Sequence, residues 1–180
     1  MKTITYDWNK TEHAVRDIAM GLFKSNWRPD YIVGITRGGL VPAVMLSHMT
    51  SIPMHTLCVQ LAADGLDENT ESNCWMAEQA FGYNDPDITG TTGARWDPKL
   101  RKNILIMDDI NRGGDAMEWI MEDWQAGCFP NEENAWNSVW HENVRFASLL
   151  SNPNSIVDTD YWSAEFTEEE ENWIEFPWEM

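Results

Sequence analysis

Cysteine is scarce: the 180 residues hold three, Cys58, Cys74 and Cys128, and no two form a CxxC pair. An odd number at these spacings excludes a disulfide framework and a zinc ribbon, and suits free thiols in a reducing cytoplasm. Long apolar runs are missing too. None reaches the ~18–20 residues that a membrane span requires, and the opening MKTITYDWNK has no apolar stretch of a secretory signal. A cytoplasmic location with no membrane partner is therefore expected. Basic residues are few, 12 Lys and Arg against 30 Asp and Glu, for a net charge of −18. After Arg145 there are none, while nine acids lie between Asp158 and Glu179. Such a segment repels phosphate backbones, which removes nucleic acid from the partners.

What is present is enough for a core. The chain is 43% hydrophobic and carries eleven Trp, so wholesale disorder is excluded and one domain spanning 1–180 is the simplest expectation. Residues 9–26 place Ala14, Val15, Ile18, Ala19, Leu22 and Phe23 at helical spacing, with Asn9 or Thr11 as cap and Pro29 beyond the end. Tyr31–Ile35 reads as a buried strand turned by Thr36-Arg37-Gly38-Gly39 into a helix that tolerates Pro42 in its first turn. A strand entered through Pro53 follows. From Asp64 to Asp97 the pattern dissolves, which marks a long functional or disordered connection. Ile104–Met107 is a second buried strand, and residues 115–127 read as a helix with Asp115 as N-cap and Gly127 as C-cap. Residues 128–143 are ambiguous, VRFASLL is a further strand, and NWIEFPWEM closes the chain after an acid-rich loop. The alternation predicts an α/β fold, a mostly parallel central sheet flanked by helices. Ligands in such sheets sit beyond the carboxyl ends of the strands. Both glycine-bearing turns belong at that edge.

The stretch ILIMDDINRGGDAM concentrates the chemistry. Adjacent carboxylates at a strand end, Asp108 and Asp109, suit Mg²⁺ or the two hydroxyls of a ribose. Neighbouring strand residues face opposite ways, so the pair divides its labour. Asn111-Arg112-Gly113-Gly114-Asp115 offers backbone amides at a helix start, which suits an anion. Arg37 beside Gly38 adds a guanidinium able to grip phosphate oxygens in pairs. His13, His48 and His55 are scattered and read as structural, and the Trp at 119, 124, 136 and 140 read as helix faces or an oligomer contact.

Taken together, GITRGGLVPAVMLSHMTSI, ILIMDDINRGGDAM and NWIEFPWEM resemble the type I phosphoribosyltransferases, over nearly the whole chain and in order. The resemblance implies a Mg²⁺-dependent transfer of the 5-phosphoribosyl group from phosphoribosyl pyrophosphate to a purine base, and a homo-oligomer. By the same resemblance Arg37 and Gly38 bind pyrophosphate, in a turn that adopts a cis peptide. Asp108 and Asp109 hold the ribose hydroxyls and metal, with Asp109 the metal residue. Residues 111–115 form the 5′-phosphate loop. Trp173 stacks on the base, the Ile174 backbone bonds its edge, and Asn152 stands where the family has a lysine for the purine 6-oxo group. The 64–97 segment becomes a mobile hood over the site, supplying Arg95, with Lys99, Arg101 or Lys102 as alternatives. The acidic 158–180 segment becomes the base-binding one.

Two departures stand out. Asn111 takes the place of the acid beside the purine N7, and an amide cannot accept a proton as a carboxylate does. Asp115 takes the place of a threonine, beside the expected phosphate. These substitutions keep two alternatives open: a nucleotide-binding protein that has lost turnover and senses or sequesters its ligand, or a transferase with a different acceptor base.

Overall fold

The computed structural model describes residues 2–62, 65–66, 70–84, 96–128, 134–167 and 172–179. At its centre lies a five-stranded sheet built from β2 (Tyr31–Thr36), β3 (Met54–Cys58), β6 (Ile104–Asn111), β7 (Val144–Ser151) and β8 (Tyr161–Glu165). Its order is β3-β2-β6-β7-β8 and every neighbouring pair is parallel. The expected α/β fold is present. Ile104, Leu105, Ile106 and Met107 are all fully buried, as a central parallel strand covered on both faces requires.

Helices α1 (Trp8–Ser25) and α2 (Leu40–Thr50) cover one face, packing Val15, Ile18, Leu22 and Leu46 onto Ile32, Leu105 and Leu149. Helices α3 (Cys74–Phe81) and α4 (Asp115–Cys128) cover the other, where Met76, Phe81, Ile120 and Trp124 meet Val33, Ile106 and Phe146. Trp124, Trp136 and Trp140 are buried in this second core, with Trp136 and Trp140 stacked at 5.2 Å. They are packing residues. A separate parallel pair joins β1 (Lys2–Thr5) to β9 (Asn172–Glu175), and β4 (Leu61–Ala62) pairs antiparallel with β5 (Gly65–Leu66).

Several boundaries differ from expectation. Asp7, and neither Asn9 nor Thr11, caps α1: its carboxylate accepts from the Lys10 N–H at 2.8 Å. Thr11 is buried one turn on, its hydroxyl donating to the Asp7 carbonyl. Helix α4 runs through Gly127 to Cys128. The 64–97 stretch is not one structureless hood, because α3 lies within it and buries Met76, Ala77, Ala80 and Phe81 against the sheet. Residues 85–95 of that stretch lie outside the described residues, and so does the expectation for Arg95.

Candidate active site

The register of β2 on β6 pairs Gly34 with Met107, so both strands end at the same edge and their bends stand side by side. In the first bend the Thr36–Arg37 peptide is cis. Gly38 then lies directly against the Asp109 carboxylate, and Gly39 against the Met107 carbonyl and the Asp108 Cα. A Cβ at Gly39 would sit 2.7 Å from that Cα. At Gly39 the neighbours are fixed backbone, so no side chain fits, while a Cβ at Gly38 would displace the Asp109 carboxylate.

The acid pair lies on β6 just past Met107, the last residue paired with β2. The Asp109 N–H donates to the Asp108 carboxylate at 2.9 Å. Burial pushes the Asp108 pKa well up, and the neighbouring Asp109 charge pushes it further. Asp109 is itself raised, first by burial, and Glu179 across the cleft adds to this. The two side chains do face different spaces. Asp109 lines a cleft of about 670 Å³ with Arg37, Gly38, Trp173, Glu175, Trp178 and Glu179. Asp108 lines a smaller pocket of about 220 Å³ shared with the 111–115 loop. Divided labour is what strand alternation dictates.

The second bend is held from behind by side chains. The Asn111 amide nitrogen donates to the Val157 carbonyl at 2.8 Å, and its oxygen accepts from the Ser155 hydroxyl at 2.9 Å. Asn152 donates to the Arg112 carbonyl at 2.8 Å and accepts from the Asn154 N–H. The Ile156 N–H donates to the Gly113 carbonyl. Gly114 has φ +93°, and a Cβ there would strike the Ser155 hydroxyl, so a residue without one fits this left-handed position. With the carbonyls tied back, no acceptor among the described residues takes the N–H groups of residues 112–115. Those amides are open to an anion.

The structure also relocates several expected roles. Asn111 is 2% exposed and Asn152 is 5% exposed, and in each amide one N–H and the oxygen are engaged by the ties above. Neither presents a side-chain group to a base, because burying an amide demands that its donors and acceptors be satisfied locally. Asp115 is the first residue of α4 and not its cap, since the Glu118 N–H bonds to Gly114. Its carboxylate lies over Gly113. Arg112 turns away, stacking its guanidinium over Phe166 at 5.3 Å. Among the hood alternatives, Arg101 donates to the carbonyls of Phe81 and Ser138, far from the cleft.

At the far side of the large cleft stands β9. Trp173 is half exposed, while Ile174, pointing the other way, is buried. Three further lining residues, Glu175, Trp178 and Glu179, escaped sequence reasoning. Strand alternation would have found Glu175, which shares the face of Trp173. Trp178 stacks on Phe176 at 4.8 Å, and its buried indole N–H lies beside the Asp109 carboxylate and partly offsets the rise in the Asp109 pKa.

No group of three His, Cys, Asp or Glu close enough to hold a metal by themselves occurs among the described residues. The acid pair fits Mg²⁺ differently. Asp109 is buried and Asp108 half-buried, both have raised pKa, and no ion pair engages either among the described residues, while Mg²⁺ is commonly bound by one or two carboxylates plus substrate oxygens. No described helix is long and apolar enough to cross a membrane.

The family model of the phosphoribosyl transferase domain matches residues 3–180. Xanthine phosphoribosyltransferase 1 of Saccharomyces cerevisiae is 21% identical, the match covering 96% of this chain and 87% of that protein. Xanthine-guanine phosphoribosyltransferase of Idiomarina loihiensis is 22% identical, over 96% and 84%. A crystal structure of purine phosphoribosyltransferase from Pyrococcus horikoshii superposes with a TM-score of 0.64 at 25% identity, covering all of this chain and 95% of the other.

Proposed function

The chain belongs to the phosphoribosyl transferase domain family, and from that premise we propose that it moves the 5-phosphoribosyl group of phosphoribosyl pyrophosphate onto a purine nitrogen. The observation that carries this reading is the joint between the two bends: Gly38 pressed on Asp109, with Arg37 and Trp173 lining the same cleft. Arg37 is suited to the pyrophosphate, and Asp108 and Asp109 to the ribose hydroxyls. The open amides of residues 112–115 are suited to the 5′-phosphate, and the exposed face of Trp173 to the flat base, with the Ile174 backbone at its edge.

The reaction breaks the bond from the sugar C1 to a pyrophosphate oxygen and forms one to the purine nitrogen. Bound Mg²⁺, held by Asp109 with Asp108 beside it, would offset charge on the pyrophosphate and on the acid pair. Arg37 and the Gly38 backbone stabilise the leaving group as its charge grows. The cleft aligns base and sugar, which replaces a bimolecular encounter by a positioned one. Asn111 takes no proton, so the proton of the attacking nitrogen leaves to water or to released pyrophosphate. A cytoplasmic setting is expected, and a homo-oligomer is supported by Met20, Phe23, Val44 and Met49, which stay exposed on α1 and α2.

Pyrophosphate release, measured with donor, Mg²⁺ and guanine, xanthine, hypoxanthine or an amino-purine, tests the proposal. Release with at least one base supports it, and silence with all of them overturns it. A nucleotide binder without turnover is the second reading, favoured by the Asp115 carboxylate lying over the anion loop. Calorimetric nucleotide binding in the absence of any release would select that reading.

A further inference from the structure

Among the described residues, Ser148 is the one aliphatic hydroxyl buried without a hydrogen-bond partner. It is fully buried in β7, between Ala147 and Leu149. Alanine would suit such apolar company better, because a buried hydroxyl left unpaired loses its hydration for nothing. An orphan of this kind calls for an explanation, and a role in a site is one of the usual ones. The sheet register supplies a partner. β6 and β7 run parallel, and Asp108 stands opposite Ser148. Paired residues direct their side chains to the same face, with the strands about 4.8 Å apart. On its other flank Ser148 pairs with Trp162, and an indole nitrogen only donates. In that row the acceptor is Asp108.

Asp108 lacks a restraint from this side. The Asp109 N–H donates to its carboxylate at 2.9 Å. A tie to the next residue fixes the carboxylate along the strand and leaves it free to swing across the sheet. In one direction lies the pocket shared with the 111–115 loop, and in the other lies Ser148. We infer that Ser148 is a positioning residue: its hydroxyl donates to the Asp108 carboxylate and holds it ready to accept from a ribose hydroxyl. This rests on the proposed transfer, which gives Asp108 the ribose, and adds the group that orients it. A carboxylate has about four lone-pair sites, so serine and sugar do not compete.

Calorimetric titration with a purine nucleoside 5′-monophosphate and with its 2′,3′-dideoxy counterpart tests the role without turnover. Guanosine and adenosine 5′-monophosphates are both titrated, and the tighter one is carried through the variants. Ser148→Ala should weaken the ribonucleotide about tenfold, the effect of one hydrogen bond to a charged group. The dideoxy nucleotide should stay within about twofold. With Asp108→Asn already in place, Ser148→Ala should change ribonucleotide affinity by less than about twofold. Melting curves check that each variant is folded. Unchanged ribonucleotide affinity in Ser148→Ala overturns the inference. So does an equal loss for both ligands, or a loss that persists beside Asp108→Asn, since either marks a packing role. Those results leave the transfer reading standing. A wild type that binds neither ribonucleotide defeats the transfer reading, and the inference falls with it.

Discussion

The bends after β2 and after β6 share an edge of the sheet and both turn on paired glycines, yet they are held in opposite ways. The first is fixed by exclusion: backbone leaves no room for a Cβ at Gly39, and one at Gly38 would displace the Asp109 carboxylate. The second is fixed by tethers: Asn152 and the Ile156 N–H bind the carbonyls of Arg112 and Gly113, while the Asn111 side chain is itself tied to Val157 and Ser155. A bend made by exclusion has no slack, and its function lies in the few atoms it presents. A bend made by tethers separates its scaffold from its exposed rim, so Arg112 and Asp115 can vary while the backbone keeps its shape.

The largest effect is expected at the first bend. Arg37→Ala should lower kcat/KM for pyrophosphate release by about 10²–10³, the usual loss on removing a group that stabilises developing charge. Melting temperature should hardly change, because Arg37 lines the cleft and not the core. A large drop in stability instead would make Arg37 a structural tie like Asn111. Asn111→Ala is the converse case. It removes the amide's bonds to Val157 and Ser155, leaving the Ser155 hydroxyl to serve the Val157 carbonyl. It should cost roughly 1 kcal/mol in urea unfolding, with looser nucleotide binding as the secondary result.

Sequence reading captured the first bend better than the second for a physical reason. Arg37, Gly38, Asp108 and Asp109 are local to strand ends, where alternation and glycine spacing place them. The tethers of the second bend join residues more than 40 apart in sequence, such as Asn111 to Ser155 and Val157. Nothing near Asn111 announces those partners, so its amide read as a ligand group. Helix α3 was legible in principle: Met76, Ala77, Ala80 and Phe81 keep helical spacing, and Gly82 supplies the left-handed end at φ +82°. Polar residues on both sides masked it. The short β1 and β8 carry little alternation and gain their strand state from β9 and β7, a tertiary decision that local pattern does not encode.

A smaller effect sharpens what the tethered rim does. Asp115→Asn should tighten binding of a nucleoside 5′-monophosphate about tenfold at low salt, with the gain shrinking as ionic strength screens the exposed charge. Arg112→Ala should leave that affinity within about twofold, because a guanidinium stacked on an aromatic ring gains from that contact and not from the phosphate. Calorimetry with nucleotide and with nucleoside separates the two variants.

The smallest expected effect concerns stability and returns to the acids under the first bend. A carboxyl whose pKa is raised on folding binds more protons folded than unfolded. Stability is then greatest below the ordinary value of 3.8 and is lost as pH rises through the higher folded value. Asp108→Asn removes that loss. It should raise the melting temperature at neutral pH by about 2–4 °C, the shift that about 1 kcal/mol produces at this size, and leave it little changed near pH 3. Turnover should fall in the same variant.

The most direct trial of the two-bend site is a calorimetric titration of the protein with phosphoribosyl pyrophosphate, with and without Mg²⁺. One donor per chain, bound tightly only when Mg²⁺ is present and lost in Arg37→Ala, is the predicted result. Binding that is absent under both conditions, or that ignores both the metal and Arg37, would contradict it.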